Sequence, residues 1–270
     1  MMSVPKVIVH THAPDRPEDC HEWAREAMAE AVRNNPSFTH AYYGDAACLT
    51  YIKRTMPEVL PTYLAINERH PQARADFFRY IRIYQEGGVY LDSTCCLTRP
   101  LEEIVAMGQM GDRKKAVLTH WGGLTRKGNL FCPWKKMKGI PERGEFVNFC
   151  LIAPARHPLF KRVVEAVVRE VSRQIENPKK RVHGKYGVLR TTGPILFTRE
   201  AVKFYSEGGE DWVAIHESIE DLGVKYNKAW PRLKWAMPHR KEEAHYGQRH
   251  NRKVLVVVQT LEGKEFAEVS

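Results

Sequence analysis

The stretch ARADFFRYIRIYQEGGVYLD, residues 73–92, restricts the fold of this chain more than any other. Its large apolar side chains recur at helical spacing, which predicts an amphipathic helix: Phe77, Tyr80, Ile81 and Tyr84. Gly87 and Gly88 end that helix, and VYLD follows as a strand that stops at Asp92. Ligands of open α/β sheets bind outside the carboxyl ends of the strands. Asp92 is therefore placed where a ligand would lie.

The remaining chain alternates between strand-like and helix-like segments. Short β-branched or apolar runs predict strands at residues 4–12, 38–44, 115–120 and 146–154, and a late β-rich segment at 252–260. Apolar residues at helical spacing predict helices at residues 16–36, 45–57, 159–175 and within 191–208. Such alternation favours an α/β domain with a mostly parallel sheet. The segment 121–145 is aperiodic and rich in Gly, Pro and Lys, so we expect a long surface loop there.

Size and charge narrow the class of protein. With 270 residues and 43% hydrophobic content, the chain suffices for one large domain, or for one domain with a small appendage. It has no run of about 18 apolar residues, so no membrane-spanning helix is expected. The net charge of +10 suits polyanions, phosphorylated small molecules or peripheral contact with an anionic membrane, but it also fits solvated loops. Because no nucleic-acid motif accompanies the charge, nucleic acid is not expected as a partner.

Six cysteines bear on the compartment of the protein. None of them forms a C-x-x-C pair, and the paired spacings of a zinc site are absent: Cys20, Cys48, Cys95, Cys96, Cys132 and Cys150. We therefore expect reduced, mostly buried thiols and a cytoplasmic location. The amino-terminal segment has no apolar core of signal-peptide length, which agrees with that expectation.

The stretch that ends at Asp92 resembles the sugar-binding segment of glycosyltransferase family 32. That family includes initiating mannosyltransferases and bacterial capsular-polysaccharide enzymes, and its pattern runs R-x-D-x-x-R-Y-x-x-L-Y-x-x-G-G-x-Y-x-D-x-D. The following residues match the pattern: Arg74, Asp76, Arg79, Tyr80, Tyr84, Gly87, Gly88, Tyr90 and Asp92. VPKVIVHTH (4–12), FVNFCLIAPARHPLF (146–160) and TTGPILFTREAV (191–202) resemble further family segments in the same order. The resemblance thus covers most of the chain.

The resemblance implies an α/β fold of the GT-A glycosyltransferase type, with a Rossmann-like, mostly parallel mixed sheet flanked by helices. A single catalytic domain would span residues 1–270, with a donor-binding part at about 1–105 and an acceptor-side part at about 106–270. The implied reaction moves a sugar from a UDP- or GDP-linked donor to a hydroxyl of a glycan or polysaccharide, with retention of configuration. The implied cofactor is Mn²⁺ or Mg²⁺ on the donor diphosphate, because hard oxygen ligands suit these ions.

The same resemblance assigns the site residues. It assigns donor binding to Thr11, His12, Arg74, Asp76, Arg79, Gly88, Asp92 and Ser93. It assigns catalysis to Asp92, Asn148 and Glu145, and metal binding to Asp92, Thr94 and His245. Asp76 and Arg79 also fit a simpler interpretation, an exposed ion pair three residues apart on one helical turn.

The motif departs from the family pattern at its last position, where Thr94 replaces the second Asp. Threonine is a neutral and weaker ligand, so the affinity for a divalent ion is expected to fall. The excess of Lys and Arg could partly replace the ion at the diphosphate. Thr94 also supports an alternative function, a non-catalytic protein that binds sugar nucleotides or polyanions on the same fold.

Overall fold

The structure is a computed structural model that describes residues 3–112, 114–120, 144–226 and 255–257. His245 lies outside the described residues, as do most of the predicted loop at 121–145 and most of the late β-rich segment. Of that β-rich segment, Val256 forms a β-bridge with Ile66. Within the described ranges, no helix has the length and apolar character needed to cross a membrane.

A mixed sheet lies at the centre of the fold. The described strands are β1 (Val7–Thr11), β2 (Thr39–Tyr43), β3 (Gly88–Leu91), β4 (Cys95–Leu97), β5 (Ala116–Thr119), β6 (Cys150–Ala153), β7 (Val213–His216) and β8 (Val224–Tyr226). Six of them form one sheet in the order β2-β1-β3-β6-β5-β7, and β4 pairs with β8 in a second sheet. β6 is antiparallel to both neighbours, whereas the other five strands of the large sheet run in one direction. The expected mostly parallel mixed sheet is confirmed.

Helices flank this sheet. The described α-helices are α1 (Glu22–Arg33), α2 (Asp45–Thr55), α3 (Leu60–Ala65), α4 (Pro71–Glu86), α5 (Leu101–Gly108), α6 (Pro158–Glu176), α7 (Gly184–Thr191) and α8 (Pro194–Phe204). The helices predicted at 16–36, 45–57, 73–88, 159–175 and within 191–208 correspond to α1, α2, α4, α6 and α8. The predicted strand at 146–154 is shorter than expected, because only its second half pairs as β6. The sequence did not predict six elements, which are all short: α3, α5, α7, β4, β7 and β8.

Alternate residues of β3 belong to two apolar cores on opposite faces of the sheet. Tyr90 lies in the core that includes α4, α6 and α8, whereas Val89 and Leu91 lie in the core that includes α5. A pleated strand imposes this alternation, because successive side chains point to opposite faces. Asp92 follows Tyr90 by two residues and therefore lies on the face that α4 covers.

Gly87 and Gly88 join α4 to β3 with a backbone that other residues rarely adopt. Their φ angles are +67° and +105°. Space is also lacking, since a Cβ on Gly88 would lie 2.9 Å from the carbonyl oxygen of Val7. A Cβ on Gly87 would lie 2.5 Å from the backbone nitrogen of Ala155. The glycine pair thus lets α4 turn back tightly onto the strand that follows it.

His157 caps the amino terminus of α6 as a buried, neutral imidazole. Its Nδ1 accepts a hydrogen bond from the Leu159 backbone N–H at 3.2 Å, and its Nε2 donates to the Trp212 carbonyl at 2.8 Å. Burial lowers the pKa of His157 to about 4, although the bond to Trp212 opposes this shift. In the unfolded chain the ring would bind a proton near pH 6.5. The free energy of unfolding therefore decreases as the pH falls from about 6.5 towards 4.

We expect His157→Asn to flatten the pH dependence of stability in this interval. Asn keeps an acceptor for the Leu159 N–H, as a good helix cap does, but it does not titrate. Between about pH 6 and 4.5, the free energy of unfolding of the wild type should fall by about 1.4 kcal/mol per pH unit more than that of the variant. Urea unfolding at a series of pH values measures this difference, with His183→Asn, at an exposed position, as the control. Equal slopes for the wild type and His157→Asn would contradict the prediction.

Candidate active site

A cavity of about 410 Å³ opens at the carboxyl ends of β1 and β3. Thr11 and His12 line it from the end of β1, and Asp92, Ser93 and Thr94 line it from the end of β3. β1 and β3 are parallel neighbours, so their carboxyl ends meet at one edge of the sheet. The donor-binding residues assigned to these two strand ends are therefore brought together.

Arg79 lies in the cavity wall and holds two carboxylates at once. Its Nη2 is 3.3 Å from Oδ1 of Asp76 and 3.1 Å from Oδ1 of Asp92. Its Nη1 donates to the Asn148 carbonyl at 2.7 Å, and its guanidinium carbon lies 4.6 Å from the centre of the Tyr90 ring. The Arg79 side chain is only 7% exposed, so the simpler interpretation of an exposed ion pair is wrong. We call Arg79, Asp76, Asp92 and Asn148 the Arg79 network.

Asp92 is oriented by its neighbours but remains accessible. The Tyr90 hydroxyl donates to Oδ1 of Asp92 at 2.8 Å, and the Asp92 backbone N–H donates to the Phe149 carbonyl at 2.8 Å. Arg79 also contacts Oδ1, which leaves Oδ2 as the oxygen that a ligand can use. The Asp92 side chain is 23% exposed. The fixed orientation and the partial exposure of the side chain together suit a residue that binds a cation or a sugar.

Asp76 is the more deeply buried carboxylate of the Arg79 network. Asn148 donates from Nδ2 to Oδ1 of Asp76 at 3.0 Å, and the Thr192 hydroxyl is 3.3 Å from Oδ2. The Asn148 amide also lies 3.0 Å from the Tyr80 hydroxyl oxygen. Burial raises the pKa of Asp76 to about 7; Arg79 opposes this shift and Asp92 adds to it. Asn148 and Thr192, which belong to the two later segments that resemble the family, thus complete the hydrogen bonding of Asp76 on α4.

His12 and Glu145 also line the cavity, on different segments of the chain. Burial lowers the pKa of His12, and the charge of Asp92 opposes this shift. The ring of His12 lies 6.3 Å from that of Trp23. Glu145 is 2% exposed and lies three residues before Asn148.

Arg74 and Gly88, two of the residues assigned to donor binding, do not line the cavity. Arg74 donates from Nε to the Ile66 carbonyl at 2.9 Å and lies over the Tyr63 ring. Gly88 begins β3, at the end of the strand opposite to Asp92. It matches the motif because its φ is positive and a Cβ would not fit there. Gly88 therefore supports the architecture around the cavity, whereas Arg74 contacts Tyr63, a residue of the cavity wall.

Several cavity residues carry no signal in the sequence. They come from α2, from α3, from the first turn of α4, and from later segments: Asp45, Cys48, Tyr63, Gln72, Lys185 and Tyr226. Cys48 has its sulfur 3.5 Å from the Thr11 hydroxyl, and burial raises its pKa to about 12, so the thiol stays protonated. Only the tertiary fold brings these residues together, because none belongs to a recognisable motif of its own.

The charge of the cavity is opposite to that of the chain. Among the described residues that line it, two cations stand against four carboxylates, a formal charge of −2: Arg79 and Lys185 against Asp45, Asp76, Asp92 and Glu145. The chain as a whole carries +10. Within the described ranges, the excess of Lys and Arg therefore does not line the cavity.

The residues at the end of β3 fit a divalent ion only in part. Asp92 offers one carboxylate oxygen, and Ser93 and Thr94 add hydroxyl groups, with Thr94 next to Tyr226. In the part of the chain that the structure describes, no cluster of three or more His, Cys, Asp or Glu side chains could hold a metal. Mg²⁺ sites often combine one or two carboxylates with substrate phosphates and waters. The site thus fits an ion that arrives with a diphosphate, and His245 lies outside the described residues.

The segment that carries this geometry matches a known family. Residues 17–110 match the family model described as the glycosyltransferase sugar-binding region containing DXD motif. This sugar-binding region includes α4, β3 and three members of the Arg79 network: Asp76, Arg79 and Asp92. The recognised part of the chain therefore contains the buried ion pairs of the cavity.

Three named relatives share parts of the chain. A mannosyl phosphorylinositol ceramide synthase of Saccharomyces cerevisiae is 29% identical over 103 residues, which covers 38% of this chain and 26% of that protein. The initiation-specific alpha-1,6-mannosyltransferase of Candida albicans is 24% identical over 175 residues, with coverages of 61% and 43%. A second mannosyl phosphorylinositol ceramide synthase of S. cerevisiae is 24% identical over 214 residues, with coverages of 77% and 53%. The chain thus spans between about a quarter and about half of the length of these relatives.

A solved structure described as PaToxG Glycosyltransferase shares the fold. The TM-score is 0.51 at 14% sequence identity, over 77% of this chain and 71% of that one. The likeness concerns the arrangement of the sheet and its helices. Together with the mixed sheet described above, it confirms the expected GT-A type of α/β fold.

We expect Arg79→Met to destabilise the fold strongly. The substitution removes the cation that two carboxylates share, and leaving buried charges unpaired typically costs about 3–5 kcal/mol of the free energy of unfolding. Asp76→Asn/Arg79→Met should recover part of this loss, because the more deeply buried carboxylate is then neutral. Urea unfolding near neutral pH measures all three free energies.

The control for this experiment is Arg69→Met, which removes an arginine at an exposed position. Its free energy of unfolding should remain within about 0.5 kcal/mol of the wild type. An Arg79→Met protein as stable as the Arg69→Met protein would show that the Arg79 network does not support the fold.

Proposed function

We propose that this chain is a glycosyltransferase that moves a hexosyl group from a nucleoside diphosphate donor to a hydroxyl of a glycan. The observation that carries the proposal is the Arg79 network, which lines the cavity within and beside the matched sugar-binding region. It presents two carboxylates, a guanidinium and an amide whose positions are fixed by mutual contacts. Polar groups held in this way suit the many hydroxyl groups of a sugar.

In the proposed complex the donor lies along the edge of the sheet. Its nucleoside contacts Thr11 and His12, because the partly buried imidazole offers a surface on which a base can stack. Its diphosphate lies next to Asp92, and its sugar lies over Asp76 and Arg79. Asn148 holds Asp76 in place and so orients the sugar.

The proposed cofactor is Mn²⁺ or Mg²⁺, held by Asp92 with Ser93 and Thr94 beside it. When bound, it would offset the charge that develops on the leaving diphosphate. The formal charge of −2 in the described cavity supports this need for a cation. Arg79 and Tyr90 keep Asp92 oriented for that task through their contacts with Oδ1.

We also propose transfer with retention, by attack on the face from which the diphosphate departs. The acceptor oxygen forms a bond to the anomeric carbon as the bond to the diphosphate oxygen breaks, and the diphosphate takes the acceptor proton. This route needs no enzymatic nucleophile. Asp76 and Asp92 are both bound to Arg79, which makes either of them a weak candidate for a covalent intermediate.

Mannose is the donor sugar to test first. The names of the three relatives describe mannosyl transfer or mannosyl products, and this is the support for the choice. Both UDP- and GDP-linked forms belong in the test, because the base is not identified by the residues of the cavity. A cytoplasmic location and the lack of a nucleic-acid partner stay predictions from the sequence.

A non-catalytic protein that binds sugar nucleotides is the second candidate. Thr94 favours it, because the motif has lost its second carboxylate and no three-ligand metal cluster lies within the described ranges. Both candidates use the same donor site. Turnover therefore separates them, whereas binding does not.

We expect slow hydrolysis of one nucleotide sugar in the absence of an acceptor. A screen of UDP- and GDP-linked mannose, glucose and other hexoses, with Mn²⁺, with Mg²⁺ and with EDTA, measures the release of free sugar. Asp92→Asn keeps the shape of the side chain but removes its charge, and it should lower the rate by roughly 100-fold or more. EDTA should have a similar effect if the divalent ion is required.

Asp19→Asn is the matched control, because Asp19 forms an exposed ion pair with Arg16 away from the cavity. Its rate should equal that of the wild type. Binding of a nucleotide sugar without release of free sugar from any donor would contradict the expected hydrolysis, and would favour the binding protein or a transferase that turns over only with its acceptor.

A further inference from the structure

The side of the cavity that comes from the carboxyl-terminal part of the chain is mostly apolar but contains one pair of opposite charges. We use the term second wall for the part of this side that six residues form: Glu145, Val147, Lys185, Val188, Leu189 and Pro194. In the described ranges, Arg79 and Lys185 are the lysine and arginine side chains that line the cavity. Arg79 is shared between Asp76 and Asp92. Lys185 is therefore the cation that this cavity can offer to a second substrate.

Helix α7 carries Lys185 at the cavity. Val188 and Leu189 follow it by three and four residues, so the three side chains share the helical face that lines the cavity. The amide nitrogen of Gln174, on α6, lies 3.1 Å from the Thr191 hydroxyl at the end of α7. The position of Lys185 is thus determined by packing between helices rather than by a loop.

Contacts of the next residue, Phe146, hold the backbone at Glu145 in position. Glu145 is 2% exposed, and the backbone N–H of Phe146 donates to the Thr198 hydroxyl at 2.8 Å. The Phe146 ring stacks on His120 with ring centroids 4.4 Å apart. Burial lowers the pKa of Lys185 and the Glu145 carboxylate opposes this shift, as neighbouring opposite charges do.

We propose that Glu145 and Lys185 form the acceptor subsite and select a neutral sugar over a phosphorylated one. This inference rests on the proposed function. A carboxylate accepts and an ammonium donates hydrogen bonds, so the pair matches adjacent hydroxyl groups of a pyranose. The apolar residues of the second wall match the C–H face of the same ring. Lys185 is thereby a specificity-determining residue for the acceptor.

Charge is the reason for excluding a phosphorylated acceptor. Glu145 and Lys185 line the same part of the cavity, so a phosphate group bound by Lys185 would also meet a buried carboxylate. Bringing two anions together in a poorly hydrated site is costly. A neutral sugar incurs no such cost, because its hydroxyl groups both donate and accept.

The test measures sugar binding by NMR to the full chain saturated with Mg²⁺, which is diamagnetic, and either UDP or GDP. Methyl α-mannoside, methyl α-glucoside and methyl α-galactoside are the neutral probes, and mannose 6-phosphate is the anionic probe. We expect the wild type to bind at least one neutral probe, and to bind it more tightly than mannose 6-phosphate. Lys185→Met should weaken that binding about tenfold or more, as expected for a lost hydrogen bond to a charged group.

Three further measurements separate this role from a structural one. Lys185→Arg, which keeps the charge, should restore most of the affinity for the neutral probe. The affinity of Lys185→Met for the nucleoside diphosphate should stay within about twofold of the wild type, since the donor contacts other residues. Lys180→Met, at an exposed position shortly before α7, should bind the probe like the wild type.

Four outcomes would overturn the assignment. They are unchanged probe binding by Lys185→Met, an equal loss of nucleoside diphosphate affinity in that variant, tighter binding of mannose 6-phosphate than of every neutral probe, and a wild type that binds the nucleoside diphosphate but no neutral probe. A wild type that binds neither UDP nor GDP would instead overturn the proposed function itself.

Discussion

One guanidinium shared by two carboxylates is the interaction on which the rest of this structure depends. Arg79 joins α4 to the end of β3 through Asp92, and to the segment before β6 through the Asn148 carbonyl. The segment before β6 lies 69 residues after Arg79 in the chain, and the charged side chains of Arg79 and Asp92 are only 7% and 23% exposed. Such a contact is favourable only while every partner is present, since each unpaired charge would be costly. The packing of the sheet and the geometry of the cavity are therefore coupled through the same atoms.

Sequence patterns predict the parts of this fold that are long and periodic. α4 and α6 carry strong local signals, whereas α5 and α7 are eight residues long and take their positions from tertiary packing. The site follows the same rule: Asp76, Arg79 and Asp92 belong to one contiguous motif, but Lys185 reaches the cavity only because α7 is placed there. Gly88, in contrast, belongs to the motif but does not line the cavity. It matches the motif because the backbone there has a positive φ and no room for a Cβ.

Net charge is a poor guide to the charge of this site. The chain carries +10, yet the residues that line the cavity in the described ranges carry a formal charge of −2. Basic residues elsewhere on the chain can raise the local concentration of an anionic ligand, because electrostatic attraction acts over several ångströms in solution. The carboxylates inside the cavity act only at contact, where they require a compensating cation. Attraction of a ligand from solution and its selection inside the cavity thus depend on different residues.

The reversed direction of β6 affects how such a protein can evolve. β5 and β6 are antiparallel neighbours, so β5 ends and β6 begins at the edge of the sheet that holds the cavity. The chain between them is anchored at both ends beside the site, near His120 and Glu145. Since the entropy of closing a loop grows only slowly with its length, residues can be gained or lost there without a change in strand register. A lineage can therefore change the length of the chain at this single position beside the cavity while it keeps the same core.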